Sequence, residues 1–161
     1  GEVSLEPVQN FIVMLAYKHS EAFTNYSGNL RQRPFVPRDK GLVNMEYKST
    51  NKKWSINSTL KILGYSRIPS GGVVHHGYVI ADRSKPFVLI NSQLSYFLPK
   101  LDIYLGAENI GNYVQHHPII ASDEPFSSSF DASLIWGPTM GRIIYLGFRW
   151  NPFSEKKSNK Q

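Results

Sequence analysis

The sequence predicts an all-β fold, an antiparallel segment of a transmembrane β-barrel, on three observations. Hydrophobic residues alternate with period two along nearly the whole chain, the connections between those runs are short and long by turns, and the faces opposite the apolar ones are polar or small. Around residues 9–18, Phe11, Val13, Leu15 and Tyr17 fall on one face, with Asn10, Ile12, Met14 and Ala16 opposite. Around 41–49, Val43, Met45 and Tyr47 alternate with Asn44, Glu46 and Lys48, and around 53–64, Trp54, Ile56, Leu60 and Ile62 alternate with Ser55, Asn57, Thr59 and Lys61. Residues 86–97 place Val88, Ile90, Leu94 and Tyr96 together, and 100–109 set Leu101, Ile103, Leu105 and Ala107 against Asp102, Tyr104, Gly106 and Glu108. Over 140–150, Ile144, Leu146, Phe148 and Trp150 oppose Gly141, Ile143, Tyr145, Gly147 and Arg149, which makes six candidate strands.

The connections carry more architectural information than the count. Tight turns are expected near Asn51–Lys52 and Leu98–Pro99, while residues 20–40, 65–85 and 110–138 form long connections without strand periodicity. Compact soluble domains rarely hold three such loops, and a soluble sandwich, which would show the same alternation, usually has shorter ones. Outer-membrane barrels have this asymmetry as a rule, with short periplasmic turns and long extracellular loops. A tilted spanning strand needs about nine to eleven residues, close to the runs found here. Tyr47, Trp54, Tyr96, Phe97, Phe148 and Trp150 lie near the expected periplasmic ends, where an aromatic girdle would sit. Six strands are too few for a closed bacterial barrel, so the expectation is a fragment completed by further strands.

Composition excludes several alternatives. No run of eighteen apolar residues occurs, so no transmembrane helix is expected. The chain has no cysteine, which removes disulfides and thiolate metal sites. Residue 1 is Gly and no apolar leader opens the chain, so any secretion signal is expected upstream or already removed. The net charge of +6 is scattered: Lys52 and Lys53 sit in a turn, and Lys156, Lys157 and Lys160 in a polar tail. No basic stripe interleaved with aromatics forms, so nucleic acid is not expected as a partner.

The last third adds a resemblance. Glu108-Asn109-Ile110-Gly111-Asn112-Tyr113 ends an alternating strand and is followed by Gln115, Pro118, Ile119 and Ile120. Then come Phe130-Asp131-Ala132-Ser133, Trp136-Gly137-Pro138-Thr139-Met140-Gly141-Arg142 and the closing run from Ile143 to Arg149. With Pro34 through Gly41 upstream, this order resembles the C-terminal barrel of TonB-dependent receptors of Bacteroidetes-type bacteria over roughly residues 34–150. The resemblance implies the last strands, about six, of a barrel of about 22 whose lumen holds an N-terminal plug. It also implies a bacterial outer-membrane location with a periplasmic C-terminus, TonB as a partner through a region outside this sequence, and uptake of a scarce nutrient: a ferric siderophore, haem, cobalamin, a metal, a peptide or a glycan. Residues 1–153 are then barrel and 154–161 a polar tail. That tail departs from the family habit of ending on an aromatic residue. The signature residues also have local reasons: Gly137, Gly141 and Gly147 permit bends or close backbone approach, Pro138 is tolerated at a strand's start, and Asp131 and Ser133 can anchor a loop.

Chemistry-bearing residues are few. His75, His76, His116 and His117 fall in long loops and are candidates for binding a ligand, copper, zinc or haem iron. Neighbouring histidines in extended chain point to opposite sides, however, and no carboxylate spacing completes a metal site, so no metal or cofactor is assigned. Arg31, Arg33, Arg67 and Arg83, in loops where Arg38 also lies, are candidates for an anionic substrate or for lipopolysaccharide phosphates, guanidinium being suited to both. Asn44, Glu46, Asn57, Lys61, Asp102 and Glu108 line the expected lumen and would meet the plug. No nucleophile elbow or phosphate loop occurs, so an enzyme is not expected. The rival readings are a passive or adhesive barrel and an accessory subunit that completes another chain's barrel.

Overall fold

The computed structural model describes residues 1–69, 74–75 and 78–153, with backbone alone at 74–75 and 78–79. Its strands are β1 (Glu2–Val8), β2 (Phe11–His19), β3 (Phe23–Tyr26), β4 (Asn29–Gln32), β5 (Asp39–Lys48), β6 (Trp54–Leu63), β7 (Val74–His75), β8 (Tyr78–Val79), β9 (Phe87–Phe97), β10 (Leu101–Glu108) and β11 (Ile143–Trp150). Seven of them form one antiparallel sheet in the order β1-β2-β5-β6-β9-β10-β11, and β3-β4 and β7-β8 form separate hairpins. All six predicted strands are present, and β1 is an addition to them. Val3 and Leu5 alternate with Glu2, Ser4 and Glu6, but Pro7 disguises the strand. It lies within the register shift between Leu5 and Val8, where the ladder is already interrupted, on a strand with only one neighbour in this sheet.

Register decides what the sheet shows to each side. Val13 pairs with Met45, Leu15 with Val43, Val43 with Leu60, Leu60 with Ile90, Ile56 with Leu94, Leu94 with Leu105 and Leu105 with Leu146, so one face is apolar across the whole sheet. That face is exposed, with Leu146 at 74% and Phe148 at 72%. An apolar surface this continuous on a water-soluble domain would be covered. The other face carries Asn44, Asn57, Thr59, Gln93, Ser95 and Tyr145, joined by side-chain hydrogen bonds such as Asn44 Nδ2 to Thr59 Oγ1 at 2.8 Å and Tyr145 Oη to Gln93 Oε1 at 3.0 Å. Two serines on the apolar face, Ser58 and Ser92, are direct cross-strand partners and bond each other at 2.8 Å, leaving neither hydroxyl unsatisfied. Seven strands do not close, and hydrocarbon does not tolerate unpaired edges. The sheet is an arc of a transmembrane β-barrel.

All the short turns lie at one end. Between β1 and β2, Asn10 takes a φ of 65° and its N–H donates to Glu6 Oε1. Between β5 and β6, the Ser49 and Asn51 side chains accept from the backbone of Trp54 and Lys53. Pro99 occupies the turn closed by Leu98 N–H donating to Leu101 O at 2.8 Å. Tyr47, Trp54, Tyr96, Phe148 and Trp150 gather at this end on the apolar face, with the Trp54 and Tyr96 ring centroids 4.3 Å apart. Phe97 departs from the expected girdle, because its register partner Asp102 puts it on the polar face.

The three long connections lie at the other end and are not structureless, contrary to expectation. The first holds the β3-β4 hairpin, whose two turn residues, Ser27 and Gly28, both have positive φ, as a type I′ turn requires. The second holds β7-β8. The best-buried apolar side chains beyond the sheet also lie here: Ile68, Ile120 and Leu134, at 5%, 7% and 6% exposure.

Candidate functional site

The loop layer is built on three amide side chains of the connection between β10 and β11. Asn109 leaves the strand with a φ of 49°, a conformation that asparagine tolerates better than most residues. Its carboxamide donates to Tyr113 O at 2.7 Å and accepts from Tyr113 N–H at 3.0 Å, closing the first turn of the loop. Asn112 Oδ1 accepts from Arg142 N–H at 2.8 Å, and a Cβ on Gly141 would collide with that carboxamide. Gln115, only 3% exposed, makes three bonds to the returning limb: Nε2 donates to Leu134 O, and Oε1 accepts from Trp136 and Gly137 N–H. Gly137 packs against Gln115, a Cβ there lying 3.5 Å from the Gln115 side chain. These residues therefore clip the outgoing limb, 109–115, to the returning limb, 134–142. Asn109 and Gln115 are buried, so removing either would strand backbone groups away from water, which is costly.

The clip packs against β9. Phe87 stacks on Tyr113, with centroids 4.9 Å apart and planes within 3°, and meets Trp136 at 5.8 Å. Burial pushes the Tyr113 phenol above its ordinary range. Beyond this aromatic cluster lies a cavity of about 240 Å³, bounded by Arg83, Lys85, Tyr113, His116, His117 and Trp136 among others. A second space of about 240 Å³ is polar and bounded by Arg31, Arg67, Asp82 and Arg83. Each is smaller than the usual range for a drug-sized ligand, so each suits one group of a ligand rather than a whole one.

Arg83 lines both spaces. It is brought there by a bridge between Arg67 and Arg83, while Arg67 Nη1 donates to Gln32 O at 3.1 Å and ties the second long connection to the first, which carries Arg31. The structure thus gathers Arg31, Arg67, Arg83, His116 and His117, five of the eight candidate ligand residues. Arg33 lines neither space; its N–H donates to Ala22 O beside the β3-β4 hairpin. The backbone of His75 lies in β7, and His76 lies outside the described residues, as does the tail from 154 to 161. Among the described residues no three His, Cys, Asp or Glu side chains converge on one point. Lys85 was not anticipated, since nothing local distinguishes it from a solvated loop charge. Arg38 is engaged elsewhere, paired with Glu21, beside Asp39, which accepts from Tyr17 Oη at 2.6 Å. Of the signature residues, Asp131 bridges to Ile120 and accepts from Ser133 N–H, and Pro118 and Phe130 lie in the same connection.

No protein-family model matches the sequence, and no curated relative matches it. Solved structures do. A mutant of the ferric enterobactin receptor of Pseudomonas aeruginosa superposes with a TM-score of 0.62 at 14% identity, over 91% of this chain and 21% of that one. The ferric-catecholate import receptor Fiu of E. coli K12 gives 0.61 at 15% identity, over 91% and 20%. The copper transporter OprC gives 0.61 at 15%, over 91% and 22%. The chain shares their fold. It spans about a fifth of the length of each of them.

Proposed function

We propose that this chain is part of the barrel wall of a TonB-dependent outer-membrane receptor of Bacteroidetes type that imports a scarce nutrient. One observation carries the reading: a sheet apolar on one face and polar on the other, with its tight turns at one end and an ordered loop layer at the other. On this reading the apolar face meets lipid, the turns and the C-terminus are periplasmic, and the loop layer is extracellular and touches lipopolysaccharide. An N-terminal plug, from a region outside this sequence, fills the polar side and couples to TonB. Arg31, Arg67, Arg83, His116 and His117 form the ligand-facing part of this stretch, and Arg33, His75 and His76 are further candidates for ligand contact. The substrate is one of the family's range: ferric siderophore, haem, cobalamin, metal, peptide or glycan. Residues 1–153 are wall and loops, and 154–161 a polar tail.

The solved structures of similar fold, each a receptor or a transporter by name, support a transport role rather than an enzymatic one. The test is uptake of a nutrient panel by three strains: wild type, one lacking the gene, and one lacking tonB. The expected result is that uptake of the same nutrient is lost in both mutants. Uptake that needs the gene but not tonB would make this a passive barrel and overturn the proposal.

A further inference from the structure

Three lysines outside the loop cluster share one patch of the polar face. Lys18 on β2 stands directly opposite Lys40 on β5, and Lys61 on β6 pairs with Leu42, one step along from Lys40 on the same face. All three lie within three residues of the loop-side ends of their strands. They border an open trough of about 750 Å³, of which Glu2 is the one carboxylate-bearing wall residue among the described residues. No described carboxylate pairs with any of the three: the lysine ion pair found here is Lys48 with Glu46, further down the wall. Like charges directly opposite on neighbouring strands destabilise a sheet. A free solute that neutralises them would remove that cost.

We infer that Lys18, Lys40 and Lys61 form a binding station for a small soluble multivalent anion on the inner wall, below the arginine-lined space at Arg31, Arg67 and Arg83. The inference rests on the barrel reading above and narrows its substrate class to solutes carrying two or more carboxylate, phosphate or comparable anionic groups. One geometric fact favours a solute over lipid phosphate, and two more link the station to the arginines. The lysines share a face with Asn44, Asn57 and Thr59, opposite the apolar face, so bilayer headgroups do not reach them. Arg67 lies six residues beyond Lys61, about 20 Å of extended chain at most, so the two basic stations follow one another along the wall. The loop backbone continues the β5–β6 pairing upward, with Arg38 N–H donating to Tyr65 O and Phe35 N–H to Arg67 O, which joins both stations by continuous backbone hydrogen bonding.

The test uses the full-length receptor in membrane vesicles. Its lysines are acylated by a water-soluble ester with and without inorganic tripolyphosphate, and each site is read by mass spectrometry. The expected result is severalfold protection of Lys18, Lys40 and Lys61, with Lys48, Lys52 and Lys53 unchanged, and binding of tripolyphosphate about tenfold weaker in K18Q/K40Q/K61Q. Three results would overturn the inference: equal rates at all six lysines, protection that requires lipopolysaccharide rather than the soluble anion, or three lysines unreactive in both conditions because plug carboxylates hold them. A carbene reagent dissolved in the lipid separates this inference from the reading beneath it. Labelling of Val43, Leu60 and Ile90 without lysine protection sinks the anion station alone, whereas labelling of Asn44 and Thr59 instead sinks the barrel orientation and the station with it.

Discussion

The spanning sheet and the loop layer obey opposite rules of burial within one chain. In the loop layer Ile68, Ile120 and Leu134 are withdrawn from solvent, and the buried Gln115 amide bonds the backbone through both its oxygen and its nitrogen, as in a water-soluble core. In the sheet apolar side chains such as Ile56, Leu94, Leu105 and Leu146 are exposed, and the polar residues bond among themselves across the other face. The contrast teaches that burial is defined by the solvent each region meets. Where the surroundings are hydrocarbon, water avoidance no longer drives apolar residues to the inside of the sheet, and the requirement that survives is complete backbone pairing.

The substitution expected to break this contrast most strongly is Leu105→Arg, mid-sheet on the apolar face. In lipid it should destabilise the protein by about 2–4 kcal/mol, read from denaturant unfolding in vesicles, whereas Asn57→Arg on the polar face should change stability little. Equal effects at both positions would mean that the two faces meet the same solvent. In the loop layer, Gln115→Leu strands one carbonyl and two N–H groups, and should cost about 2–3 kcal/mol locally. Amide hydrogen exchange over residues 134–137 would report it, while the sheet amides stay protected.

Gly106→Ala probes a smaller constraint. Gly106 and Tyr145 are direct cross-strand partners, as are Tyr104 and Gly147, and each tyrosine ring lies over the opposing glycine so closely that a Cβ would collide with it. Alanine at 106 should cost about 1–3 kcal/mol and free the Tyr145 hydroxyl from Gln93, seen as lost unfolding free energy in vesicles. The smallest effect belongs to the serine pair: in a double-mutant cycle of Ser58→Ala and Ser92→Ala, the coupling should be under about 1 kcal/mol. A larger coupling would mean that the lipid strengthens this bond.

Much of the sheet was legible because strand information is local. Period two along Phe11 to Tyr17 or Leu101 to Ala107 assigns both the strand and its two faces without knowledge of any partner. The missed strand, β1, shows the limit: Pro7 reads as a breaker in sequence, and only the interrupted ladder makes it harmless. The hairpin at Phe23–Tyr26 and Asn29–Gln32 was too short for periodicity to register, although Ser27-Gly28 marks its turn. At the candidate site, His116 and the arginines were identified by residue type alone, which says nothing of their proximity. Lys85, Lys18 and Lys40 were passed over for the same reason.

By itself the sequence determined the all-β class, the strand faces and the asymmetry of turns and loops, because alternation and turn chemistry act over neighbouring residues. Only the tertiary structure decided which charges share a surface and how the loops are clipped, since those depend on contacts between distant residues. Gln115 reaches Leu134 across 19 positions and Arg67 reaches Gln32 across 35, separations that no local pattern encodes. Register does the rest: a shift of one residue between β2 and β5 would move Lys40 from beside Lys18 to the opposite face, and local periodicity is blind to that shift.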